Sequence, residues 1–221
     1  MKVPVVSEIL KANDQVALEN RATFDAHGLT VVNVMASPGA GKTSVILGTI
    51  ERLPAGIRPG VIEGDIASSI DADRIAARDI AVVQINTGGN CHLDAPMIRS
   101  ALAHLPLAQL ELLFIENVGN LICPANYRLG ADLALVIASV PEGHDKPYKY
   151  PGMFTAADIV LLNKWDMAGP CEFDVEAFER GVRLVNPEVP IVRLSCRTGE
   201  GMSAWLEQLG TRLPAPAGTV R

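Results

Sequence analysis

The octet Ala36-Ser37-Pro38-Gly39-Ala40-Gly41-Lys42-Thr43 constrains the fold more than any other stretch of this chain. It follows the apolar run Thr30-Val31-Val32-Asn33-Val34-Met35. It precedes Ser44-Val45-Ile46-Leu47-Gly48-Thr49-Ile50, whose apolar residues recur at helical spacing. A buried strand therefore enters a glycine-rich turn from which a helix departs at once, the context of a phosphate-binding P-loop. Gly39 and Gly41 let the backbone curl until successive N–H groups point at one anion, and the helix N-terminus adds its partial positive charge. Ser37, Gly39, Ala40, Gly41, Lys42, Thr43 and Ser44 are the candidate phosphate-binding residues. Lys42 is expected to reach the β- and γ-phosphates and the Thr43 hydroxyl to ligate Mg²⁺. Ala36 stands where the pattern has its first glycine, at a strand end where a β conformation suits alanine.

Strands and helices alternate along the rest of the chain. An amphipathic helix from Ser7 to Phe24, stopped by Gly28, precedes the P-loop strand, and Pro54 closes the P-loop helix. Strands are predicted at Val61-Ile62, 80–85, 110–115, 133–137, 159–162 and 191–194. Helices are predicted over 71–79, 94–104, 173–185 and 202–213. Residues 141–153, rich in Pro, Gly and Lys, read as a mobile loop. This order predicts a three-layer α/β P-loop NTPase domain with a mostly parallel central sheet and ligands at the C-terminal ends of its strands. A single domain is expected over 1–213, with 1–28 as a helical extension and 214–221 as a frayed tail.

The composition agrees. Hydrophobic residues make up 48% of the chain but aromatics only 5%, which suits a sheet covered by helices on both faces. The net charge of −6, with no basic run, argues against nucleic acid or an anionic membrane as partner. The start of the chain lacks the apolar core of a signal peptide, and no stretch reaches the ~18 apolar residues of a membrane span. The four cysteines then read as thiols, and the expected compartment is the cytosol.

The later strand ends select the nucleotide. Asn163-Lys164-Trp165-Asp166 has the Asn-Lys-x-Asp form of a guanine-binding motif. A carboxylate at Asp166 accepts from the N1–H and 2-amino donors of guanine, which adenine lacks, so adenine would leave it unpaired at a cost of ~1–3 kcal/mol. Lys164 can lay its stem along the base, and Asn163 can pin the P-loop. Ser195-Cys196-Arg197 fits a loop closing over the guanine. Glu116, at a strand tip, is placed to hold the magnesium's water shell, and the Gly119 N–H to touch the γ-phosphate. Asp65 is a second candidate for Mg²⁺ or for orienting the attacking water, or else caps the following helix. Lys42, Asp65 and Glu116 are thus the candidate catalytic residues. No glutamine stands where it could position water, so turnover on the order of 10⁻⁴–10⁻² s⁻¹ is expected.

Cys91-His92 and Cys123 lie in two loops leaving strand ends on the same edge. Two thiols and an imidazole suit Zn²⁺, or Ni²⁺ where planar coordination is open, with a two-fold dimer filling the vacancy. Alternatively they are ordinary thiols and a hydrogen-bonded histidine. Gly119 stands four positions before Cys123, so a segment that follows the γ-phosphate would carry Cys123 with it. Lys146 or Lys149, in the charged loop 142–150, could reach a partner subunit's nucleotide or simply face solvent.

The runs Asn86-Thr87-Gly88-Gly89-Asn90-Cys91-His92-Leu93-Asp94 and Ile115-Glu116-Asn117-Val118-Gly119-Asn120-Leu121-Ile122-Cys123-Pro124 resemble the nickel-incorporation GTPases of hydrogenase maturation, the HypB family. The P-loop, Val61-Ile62-Glu63-Gly64-Asp65, Asp145-Lys146-Pro147 with Tyr150-Pro151, and Asn163-Lys164-Trp165-Asp166 are similar in the same order. The resemblance implies a GTPase of the signal-recognition-particle/MinD class that forms a GTP-dependent homodimer. It implies an interface site for Ni²⁺ or Zn²⁺ at Cys91, His92 and Cys123. It further implies nickel delivery to the large subunit of [NiFe]-hydrogenase with a HypA-type partner. The N-terminal cysteine motif and histidine-rich stretch of some relatives have no counterpart within this sequence, whose first cysteine is Cys91. A urease-accessory GTPase would be expected to carry Cys-Pro-His, whereas Cys123-Pro124 is followed by Ala125. A metal-binding chaperone with a structural, unhydrolysed nucleotide is the alternative of a different class.

Overall fold

The computed structural model describes residues 8–66 and 68–213; the expected leader-free start and C-terminal tail lie outside them. The strands are β1 (Thr30–Ala36), β2 (Pro59–Asp65), β3 (Ala81–Asn86), β4 (Leu112–Glu116), β5 (Leu133–Ser139), β6 (Ile159–Asn163) and β7 (Ile191–Arg193). They form one seven-stranded sheet in the order β3-β2-β4-β1-β5-β6-β7. Every pairing is parallel, so the sheet is parallel throughout rather than mostly so. β1 lies between β4 and β5 with all its residues buried, which is why its sequence shows an apolar run instead of alternation.

The helices are α1 (Glu8–Ala26), α2 (Lys42–Ile50), α3 (Ile70–Ala76), α4 (Ala95–Leu102), α5 (Lys146–Lys149), α6 (Pro151–Thr155), α7 (Val175–Val185) and α8 (Met202–Gly210). On one face, Ile46, Leu47, Phe114, Leu135, Leu161 and Trp205 share a core, and the Trp205 Nε1–H donates to Thr49 Oγ1 at 2.8 Å. On the other, Phe24, Ile62, Leu93, Ile98 and Ile115 form a cluster that α1 helps to cover. Two buried asparagines fasten α1 there. Asn13 Oδ1 accepts the Ala95 N–H at 2.8 Å, and Asn20 Nδ2 donates to the Ala95 carbonyl at 2.9 Å.

The segment expected to be a mobile loop, 141–153, is instead built of short helical turns. A capping box between Ser139 and Glu142 opens it, and prolines enter its turns near their starts. The Tyr148 hydroxyl donates to the Ala177 carbonyl at 2.8 Å, docking α5 on α7. The turn-forming residues that read as a loop are here helix starters. Helix α1 ends two residues before Gly28, whose φ of +63° breaks the helix as expected. Strand β2 is longer than its apolar pair Val61-Ile62, because pairing with β3 and β4 extends it through Glu63-Gly64-Asp65. Among the described residues, no helix is long and apolar enough to cross a membrane.

Candidate functional site

The C-terminal ends of β1, β2, β4 and β6 carry the predicted nucleotide residues. The P-loop turn between β1 and α2 needs glycine at position 41, where φ is +100° and a Cβ would stand 2.6 Å from Asn163 Nδ2. Thr43 Oγ1 donates to Glu116 Oε1 at 2.9 Å, and Lys42 Nζ lies 4.0 Å from the same oxygen. Gly119 packs against the loop, since a Cβ there would be 3.0 Å from Pro38 Cα. The Asn120 N–H donates to the Ala36 carbonyl at 2.8 Å. The segment after β4 thus rests directly on the phosphate-binding turn. Asp65 Oδ1 accepts the Ser68 N–H at 2.8 Å, but the N-cap of α3 is Ser69, so Asp65 does not cap that helix.

Four buried side-chain atoms without a partner gather at or beside this turn: Ser37 Oγ, Glu63 Oε2, Glu116 Oε2 and Asn163 Oδ1. Unpartnered buried oxygens are costly, so a hydrated cation and phosphate at this place would relieve them. The donor set therefore fits Mg²⁺ with a nucleotide. Burial pushes Glu116 up to about 7 against the pull of Lys42 and the Thr43 hydrogen bond. Burial, aided by the Glu116 and Asp65 charges, pushes Glu63 up to about 8. Glu63 was not singled out as a site residue from the sequence. The signal was there, as an acidic residue inside a buried strand and in register with Glu116.

The candidate base-reading residues come together in one cleft. Asn163 Nδ2 donates to the Ala40 carbonyl at 2.9 Å, and Lys164 Nζ to the Gly39 carbonyl at 2.7 Å. Lys164 adopts a left-handed conformation with φ of 57°, strain of the kind found at binding turns. The Ser195 hydroxyl donates to Asp166 Oδ1 at 2.6 Å, and Arg197 Nε approaches Asp166 Oδ2 at 3.2 Å, so the carboxylate is held in one orientation. Gly41, Ser44, Asn163, Lys164, Asp166, Ser195, Cys196 and Arg197 line one open cleft of about 460 Å³. Burial raises the Cys196 thiol to about 11, which makes it an inert wall. Arg52, Arg74 and Arg78 also rim this cleft, a positive border that no motif announced.

Cys91, His92 and Cys123 come together. Their ligand atoms all lie within 4.8 Å of one another, with the two sulfurs 2.8 Å apart and Cys91 Sγ 3.7 Å from His92 Nδ1. The His92 ring stacks on Tyr127 at 3.8 Å between centroids. Burial lowers the His92 pKa and so favours the neutral, ligating imidazole. The hydrogen bond with Cys91, then burial, raises the Cys123 thiol pKa, so binding of a cation there displaces a proton. This soft donor set fits Ni²⁺ or Zn²⁺ and leaves coordination positions for further ligands. Lys146 and Lys149 both pair with Asp145 in this chain.

The model of the CobW/HypB/UreG nucleotide-binding domain matches residues 30–193. The hydrogenase maturation factor HypB of Azotobacter vinelandii is 51% identical over 98% of this chain and 73% of its own length. The crystal structure of HypB from Helicobacter pylori in complex with nickel is similar at a TM-score of 0.86 and 36% identity, covering 92% of this chain and 98% of that one. HypB from Archaeoglobus fulgidus is similar at 0.85 and 38% identity, covering 91% and 98%. This chain belongs to the HypB hydrogenase maturation factors, within the CobW/HypB/UreG nucleotide-binding family.

Proposed function

We propose that this chain is a GTP-hydrolysing metallochaperone that carries Ni²⁺, with Zn²⁺ as the competing ion, and couples its nucleotide state to metal release during [NiFe]-hydrogenase maturation. The observation that carries the reading is the contact of Gly119 with Pro38, four positions before Cys123. One short segment answers both to the phosphate turn and to the metal cluster. The nickel complex of the Helicobacter pylori relative supports nickel as cargo.

In this reading the P-loop N–H groups and Lys42 bind the phosphates. Asp166, held by Ser195 and Arg197, reads guanine, and Asn163 braces the turn. Thr43, Asp65 and Glu116 would hold Mg²⁺, which supplies neutralisation of the phosphate charge. The Thr43–Glu116 hydrogen bond keeps both groups oriented beforehand. Hydrolysis is expected to be slow because no glutamine in the sequence stands where it could position the attacking water. Three ligands per chain are completed across a GTP-dependent homodimer of single P-loop domains spanning 1–213, working in the cytoplasm. The delivery partners are a HypA-type protein and the hydrogenase large subunit.

Mass in solution, measured with GTP, GDP and Ni²⁺ alongside phosphate release, tests this reading. A GTP-dependent dimer that releases phosphate is expected. A monomer under every condition overturns the shared site, and no phosphate release leaves a metal chaperone with a structural nucleotide.

A further inference from the structure

Asn117 is fully buried where the nucleotide and metal sites meet. It follows Glu116 at the end of β4, and its backbone N–H donates to the Val34 carbonyl of β1 at 3.0 Å. Its side-chain oxygen accepts two backbone N–H groups, those of Leu93 and Val118, each at 3.0 Å. Its side-chain nitrogen donates to Asn33 Oδ1 at 3.2 Å. Only a neutral amide serves all three partners. A carboxylate lacks the donor and would be a buried charge, and an apolar side chain would leave three polar groups unsatisfied.

The two N–H groups belong to different arms of the metal cluster. Leu93 directly follows His92, while Val118 leads through Gly119 and Asn120 to Cys123. Both loops therefore hang from one oxygen. Neither arm is slack. The Leu93 side chain fills the space above Gly64 of β2, where a Cβ would meet three of its carbons at 2.7, 2.7 and 2.8 Å. Asn120 Oδ1 accepts the N–H groups of Ile122 at 2.7 Å and Cys123 at 3.3 Å, stiffening the second arm.

We infer that the Asn117 carboxamide is the positioning group that makes the Cys91-His92 loop follow the segment touching the γ-phosphate. When Val118 shifts with Gly119, the acceptor it shares with Leu93 shifts too, and both halves of the metal cluster respond together. Without this junction the nucleotide would move Cys123 alone. The inference rests on the coupling proposed above and names the residue that transmits it to the second loop.

The test is Ni²⁺ titration of the full chain bound to GDP or to a non-hydrolysable GTP analogue, followed by the thiolate-to-nickel absorption band. Wild-type affinities are expected to differ between the two nucleotides by about 5- to 150-fold. In Asn117→Ala both nucleotides and Ni²⁺ still bind, the ratio falls towards one, and the band no longer responds to the nucleotide. A wild-type ratio retained in Asn117→Ala overturns the inference. A ratio of one already in the wild type overturns the coupling itself, which is a distinct result. If Asn117→Ala does not fold, Asn117→Ser keeps a polar group but withdraws the amide oxygen that Leu93 and Val118 share. A reduced ratio there supports the junction, and an unchanged one overturns it.

Discussion

Glu63 and Glu116 are register partners on the adjacent parallel strands β2 and β4, each buried and each with one carboxylate oxygen lacking a partner. Two acids placed side by side in a core make sense only if something positive visits them. The Lys42 ammonium is one such group, and a hydrated cation beside a phosphate is the other.

This pair sets a pH dependence for the protein free of nucleotide and metal. Burial raises Glu63 from the ordinary 4.5 to about 8 and Glu116 from 4.5 to about 7, so folding takes up protons between these limits. The associated stability is fully present below pH 4.5 and is lost as pH rises through about 7 to 8. Urea unfolding across this range should show stability falling with pH, and Glu63→Gln should flatten the fall and make the protein more stable than wild type at the alkaline end. A variant with the wild-type slope would remove Glu63 from this role.

Lys42→Ala should abolish GTP binding. The substitution removes the charge that reaches the phosphates and also exposes them to Glu116, which Lys42 approaches at 4.0 Å. Titration with a fluorescent guanine nucleotide reads the loss, and unchanged binding would refute the P-loop assignment.

Asp166→Asn should cost ~1–3 kcal/mol of guanine preference, because the two donors on the base edge lose their carboxylate. Competition between GTP and ATP measures it. If GTP still wins by the wild-type margin, the carboxylate held by Ser195 and Arg197 does not read the base.

Cys91→Ala and Cys123→Ala should each weaken Ni²⁺ or Zn²⁺ binding by at least about 10–100-fold, the loss that follows even when only an outer partner of a ligand is removed. Equilibrium dialysis with metal analysis checks this. Full metal stoichiometry in both variants would return the two thiols to ordinary side-chain duty.

Core strength can be tested away from any ligand. Thr49→Val leaves the buried Trp205 Nε1–H without its 2.8 Å acceptor and should cost about 1–3 kcal/mol in urea unfolding. A variant as stable as wild type would mean that the indole finds another partner.

What the chain encodes locally could be read directly from it. The glycine turn after an apolar run fixes strand, loop and helix within a few residues, since backbone conformation there depends on Gly39 and Gly41 alone. The same holds for Gly28 as a helix stop. The chemistry of Asn163, Lys164 and Asp166 was legible because side-chain type and spacing after a strand are themselves sequence properties.

Other features were decided by distant neighbours. Glu63 became part of an acidic pair only when β2 lined up with β4, and the prolines of 141–153 became helix starters only when Tyr148 found α7. Asn117 reads as an ordinary polar residue after a strand. Its three side-chain partners come from residues 33, 93 and 118, two of them far away in the chain. Hydrogen bonds and burial across such separations depend on strand order and register, which no local pattern of residues contains. The amino-acid sequence thus set out a candidate cradle for a guanine nucleotide and a candidate set of soft metal ligands. Tertiary packing decided how the Cys91-His92 loop joins the segment that carries Cys123, because only there do Leu93 and Val118 reach the same oxygen.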